Sequence, residues 1–81
     1  MQLPQLNING TDRDVLLDDY LRARKALNHA IEALCAAAPH GRDYQTLHAG
    51  SLSLALSEHA DRMVALRKVL AEIETIAEHI V

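Results

Sequence analysis

The sequence predicts an all-α fold: an antiparallel helical hairpin of two long helices that assembles as a homodimeric four-helix bundle or a larger homo-oligomer. Three observations point there. In the second half of the chain Leu52, Leu56, His59, Met63, Leu66, Leu70, Ile73, Ala77 and Ile80 recur at alternating steps of four and three. Such steps line side chains along one seam of a helix, suited to a partner helix. In the first half Leu16, Tyr20, Ala23, Leu27, Ala30, Leu34 and Ala37 follow the same rhythm. The hydrophobic share is 49%, with no Phe or Trp and only Tyr20 and Tyr44 aromatic. A core of Leu, Ile, Val and Ala is a core of packed helices.

Residues 1–10 read as an extended arm. Pro4, the alternating Leu6 and Ile8, and the Asn9-Gly10 turn signal suit a segment laid over a bundle end. Thr11 is a candidate N-cap, with Asp14 in the acidic place of a capping box and Asp12 at the positive end of the helix dipole. The remaining residues, 11–81, form one domain. Its first helix is expected over 12–38, where Pro39 and Gly41 stop it. Leu17, Ile31 and Ala38 broaden its apolar face, and Ala23, Ala30 and Ala37 permit close helix approach. A loop spans 39–50, longer than most connections in bundles. The second helix runs over 51–80, with Ser51 or Ser53 as its cap and Val69 and Ile76 widening its seam.

Two helices joined by one connection fold most simply as an antiparallel pair. A lone pair has a single interface, which leaves these wide faces half wet. The chain has 81 residues, few for one core to stabilise, and association is the usual remedy when disulfides and metals are missing. Antiparallel packing also sorts charge. Asp12, Asp14, Asp18 and Asp19 come beside Glu72, Glu74 and Glu78 at one end, while His40, Arg42, His48, His59 and Arg62 collect toward the other.

Composition excludes several classes. Cys35 is the single cysteine, so no intrachain disulfide forms, and the absence of a secretory pattern fits a reducing cytoplasm. Its place in an Ala-rich stretch predicts a small packing residue rather than a nucleophile. No apolar run reaches membrane-spanning length. A formal net charge of -3 argues against general nucleic-acid binding, for which a basic stripe is expected.

Catalytic chemistry finds no foothold. The five histidines show no H-E-x-x-H or H-x-x-x-H spacing, and no paired C-x-x-C is present, so neither a metal nor another cofactor is expected. His59, on the seam, suits a core polar residue that sets helix register. Ser51, Ser53 and Ser57 lie in no nucleophile elbow. Asp18 and Asp19 point in different directions, and Gly10, Gly41 and Gly50 stand alone. The chain is read as a non-enzyme.

The loop is the place where ligand chemistry concentrates. Arg42 offers a planar donor fork for phosphate or carboxylate, Tyr44 a ring on which a base stacks, and His40 and His48 further donors. Arg24, interrupting the apolar face between Tyr20 and Leu27, is a weaker candidate for a phosphate. The alternatives are equally concrete. Arg42 and Asp43 cap helix ends, Tyr44 and Leu47 plug the bundle, and Arg24 snorkels to solvent.

The run Ile8-Asn9-Gly10-Thr11 and the loop Ala38-Pro39-His40-Gly41-Arg42-Asp43-Tyr44-Gln45 resemble a group of small helical proteins of tailed phages and prophages of proteobacteria. In that group the loop reads A-P-N-G-R-D-Y-Y; His40 and Gln45 depart from it, and Gln45 removes a ring that a stacking pocket would use. The likeness implies a bacterial host cytoplasm and action by binding. Together with the apolar seams and the loop residues, it leads to the expectation of a non-enzymatic, homo-oligomeric protein that sequesters a nucleotide-like anionic signal of host defence at Arg42, Tyr44, His40, His48 and, more weakly, Arg24. The alternative is a protein-interaction module that inhibits or adapts a host protein, with a virion or assembly component behind both.

Overall fold

The computed structural model describes residues 1–5, 12–44 and 48–80. Its elements are helix α1 (Arg13–Ala36), a short 3-10 turn (Gly41–Asp43) and helix α2 (Ser51–Ile80), with no strand among the described residues. The two helices pack against each other as a hairpin. Its ends are defined by two contacts. At one, Arg13 Nε donates to the Ile80 carbonyl at 2.9 Å; at the other, Gly41 lies against Leu52, so that a Cβ added there would meet the leucine Cδ2 at 3.7 Å.

Local chemistry explains the helix limits. Asp12, not Thr11, is the N-cap of α1, its carboxylate accepting from Asp14 N at 2.9 Å. Asp14 therefore sits at the second helical position as the capped residue rather than as the acid of a capping box. Thr11 itself falls outside the described residues. The helix ends at Ala36, two residues before the expected Ala38. A residue that precedes proline is pushed out of the helical region, so Ala38 leaves the helix ahead of Pro39.

Helix α2 starts at Ser51 as foreseen, but neither serine takes the cap place. Gly50 does: its carbonyl accepts the first helical bond, from Leu54 N at 3.0 Å, and its φ is 90°. The left-handed conformation is open to glycine without a Cβ clash. The turn that delivers the chain there is closed by Ser51 N donating to His48 O at 3.0 Å.

The seams form largely as spaced. On α1 the half-buried residues are Leu16, Leu17, Tyr20, Ala23, Leu27, Ile31 and Leu34. Ala30 and Ala37 are exposed, and Ile31 takes the place expected for Ala30. On α2 Leu52, His59, Met63, Leu66, Leu70, Ile73, Ala77 and Ile80 face inward. Leu56 does not: it is 44% exposed, and the small Ala55 replaces it in the seam. Val69 is likewise exposed, whereas Ile76 is buried. Among the described residues the buried ones are Met63, Ile76, Ala77 and Ile80, so three of the four lie in the last turns of α2. The arm explains this placement. Leu3 and Pro4 are half-buried at that end, and His79 Nε2 donates to the Pro4 carbonyl at 3.0 Å, an oxygen that can only accept. Leu6 and Ile8, the arm's other apolar residues, lie outside the described residues.

The result is a rod of 61 × 20 × 14 Å with a radius of gyration of 18.2 Å; a compact chain of this length would have a radius near 12 Å, by the scaling about 2.2·N^0.38. Its accessible surface is 6217 Å² for a mass of 8.9 kDa, against roughly 4,800 Å² for a monomeric globular protein of that mass. Much apolar surface stays wet, including Leu54 at 63% and Val64 at 66% exposure.

Candidate functional site

The loop end is built on the 3-10 turn. His40 caps it, its Nδ1 accepting from Arg42 N at 3.2 Å, and Asp43 N and Tyr44 N bond back to the carbonyls of His40 and Gly41, each at 3.0 Å. These bonds hold Arg42 and Asp43 at the tip, both exposed, and turn Tyr44 inward to a half-buried position. Pro39 and Gly41 are half-buried as well, so the turn rests on the first turn of α2. The imidazole of His40 thus has one nitrogen committed to the backbone, leaving Nε2 for anything outside.

His48 is exposed, at the start of the turn into α2. His40, Arg42 and Tyr44 therefore share one short turn, and His48 lies across the segment 45–47, which is outside the described residues along with Leu47, the proposed plug. Arg24 is elsewhere. It is exposed in the middle of α1, twelve residues before the helix end, which at about 1.5 Å per residue is roughly 18 Å along the axis. One hairpin does not bring it to the loop. No cleft or cavity of ligand size is found among the described residues.

Arg22 bridges Asp18 and Asp19 on the surface of α1, an exposed arrangement of small energetic weight. No group of three His, Cys, Asp or Glu side chains is placed to share a metal among the described residues. No described helix is long and apolar enough to cross a membrane. Cys35 is exposed, contrary to the packing role expected of it; it lies on the outer flank of α1, away from the side that Leu34 turns toward α2.

Two interactions escaped the sequence. Arg13 reads as an unremarkable charge in a first turn, and His79 as an isolated histidine, yet they tie the hairpin's open end and its arm. The signal available was positional: a base opposite the C-terminus of a helix finds carbonyls without intrahelical partners.

Comparison with protein-family models, curated proteins and solved structures gives no match to the chain.

Proposed function

We propose that the chain is a non-enzymatic binding protein of the phage type it resembles, acting in the cytoplasm of a bacterial host. Its hairpins self-associate, in the simplest case into a four-helix bundle, and it recognises a partner protein through its helical surface. The observation that carries this reading is the surface itself. Leu54, Leu56, Val64 and Val69 stand exposed on α2, the rod is far from compact, and no ligand-sized cleft is found among the described residues. Flat helical faces of Leu, Val and Ala recognise other helices, whereas small-molecule sites are concave. Affinity capture on the immobilised chain from bacterial lysate, read by mass spectrometry, tests it. One stoichiometric protein that disappears with Leu54→Asp/Val64→Asp supports the reading; recovery unchanged by that double substitution contradicts it.

A second reading has its own support at the loop end. Arg42 is exposed at the tip of an ordered turn beside the free face of His40, with Tyr44 next to it. There the chain would sequester a nucleotide-like anion, Arg42 gripping phosphate and Tyr44 stacking the base, with His40 or His48 assisting. Calorimetry against cyclic and linear nucleotides decides it. Heat that is abolished by Arg42→Ala supports sequestration, and no heat with any of them removes it.

A further inference from the structure

We infer that the last turns of α2 form an acceptor for the N-terminal arm of a second copy, so that associating hairpins exchange Leu3 and Pro4. This rests on the self-association proposed above and names the segment that carries it.

The acceptor shows in a contrast along one flank of α2. Ile76 and Ile80 follow Val69 by seven and eleven residues, so at about 100° per residue the three share that flank to within about 20°. Helix α1 runs beside all three levels, yet Val69 is 43% exposed, Ile76 9% and Ile80 1%. What changes toward Ile80 is the arm. Leu3 and Pro4 are half-buried there, and His79 Nε2 donates to the Pro4 carbonyl at 3.0 Å. The flank is thus an apolar surface that α1 leaves open along its middle and an extended segment covers at its end.

The contact is local and portable. Met1, Gln2 and Gln5, on either side of the docked pair, are exposed. Proline has a fixed φ and no backbone N–H, so Pro4 holds the arm extended and offers only its carbonyl, which the imidazole meets. Ile76, His79 and Ile80 all belong to α2, and His79 lies 75 positions from Pro4. The arm of any copy therefore finds the same surface.

Reach and need both favour exchange. Gln5 and Asp12 are seven residues apart, a span of up to about 25 Å for an extended chain. The rod is 20 × 14 Å in cross-section, so an arm is long enough to cross onto a neighbouring hairpin. Exchange keeps the contacts of the docked arm and adds those between hairpins, a low-cost route to dimers. The protomer has 6217 Å² of accessible surface, against roughly 4,800 Å² for a monomer of its mass. Both acceptors lie at the open ends, so Arg42 and Tyr44 at the loop stay outside the exchanged contact.

Paramagnetic broadening in the full chain tests the exchange. Gln2 is exposed, so a nitroxide on Gln2→Cys/Cys35→Ser reports where the arm docks. This chain, free of isotope, is co-refolded with an equal amount of isotope-labelled Cys35→Ser. The signals of Ile76, His79 and Ile80 are expected to fall to about half, since half of the observed chains receive a spin-labelled arm. Leu3→Asp in the spin-labelled chain should restore them; broadening that survives it means proximity without docking and overturns the inference. With nitroxide and isotope on one chain, an excess of Cys35→Ser of about tenfold should also restore the signals, because the labelled arm then docks on an unlabelled copy. Signals that stay broadened under that excess mean that each arm closes on its own chain, and they overturn the inference. So does a dimer by light scattering whose mixed sample shows no broadening at these residues, which leaves self-association standing on another surface. A monomer by light scattering removes both. Gln5→Cys/Cys35→Ser, labelled at another exposed position, repeats the measurement in case the first variant folds poorly by circular dichroism.

Discussion

The guanidinium of Arg13 and the carbonyl of Ile80, separated by 67 positions in sequence, meet at 2.9 Å. Ile80 is also the most buried residue described, 1% exposed. The last carbonyls of a helix have no intrahelical partner, and a cation near them complements the dipole. This bond therefore helps to close the open end of the hairpin and satisfies a carbonyl at the end of α2. Arg13→Ala is expected to cost about 1.5–3 kcal/mol, as for a hydrogen bond made by a charged donor. A thermal melt followed by circular dichroism should fall by roughly 4–8 °C per kcal/mol for a domain of this size. An unchanged melt would mean the end is held by the remaining contacts there, the His79–Pro4 bond among them.

The concentration of buried residues in the last turns of α2 makes an unequal pair of truncations. Ile80→Ala removes a fully packed side chain and is expected to cost about 2–4 kcal/mol. Val64→Ala, at a position 66% exposed, should stay within about 0.5 kcal/mol. Urea titration of the two variants measures both, and similar losses would place the core elsewhere.

Asp12 satisfies an amide at the start of α1. Asp12→Ala should destabilise by about 1 kcal/mol, and Asp12→Asn, which keeps a side-chain acceptor, by clearly less. Chemical denaturation distinguishes them; equal losses would assign the effect to charge at the helix dipole.

Gly50 isolates a backbone effect. A Cβ there would meet nothing within 4 Å, yet φ is 90°. Gly50→Ala should therefore lose about 1–2 kcal/mol through conformation alone, and Gly50→Asn less, because asparagine tolerates positive φ better. A melt unaffected by alanine would show that the turn relaxes to another geometry.

The hairpin was legible because its signal is repetitive. Nine spaced residues on α2 predict one seam, and eight of them face inward. The misplacements are those a seam of period 3.5 must make on a helix of period 3.6. The contact line drifts about 20° per heptad, which on α1 is enough to bring Ile31 inward in place of Ala30. At Leu56 the shift falls the other way, to Ala55, beside the segment where the loop turn lies on Leu52. The cap moved by one residue because Thr11 and Asp12 are both good caps and adjacent, so composition alone does not rank them. Cys35 is exposed rather than packed because a residue type's usual burial says nothing of which flank a helix leaves open. For the loop, Arg42, Tyr44 and His40 share one short turn because such turns keep sequence neighbours together, which says nothing of whether they bind a ligand. Arg24, the weaker candidate, falls midway along the helix expected over 12–38 and stays apart from them in the structure.

Self-association is the claim on which the rest depends, and its most direct measurement is solution mass by multi-angle light scattering at micromolar concentration. The expected value is twice the 8.9 kDa of one chain, or a higher multiple, with a dimer fraction that rises with concentration. A single species of one chain's mass across that range, with the helical signal intact, would contradict it.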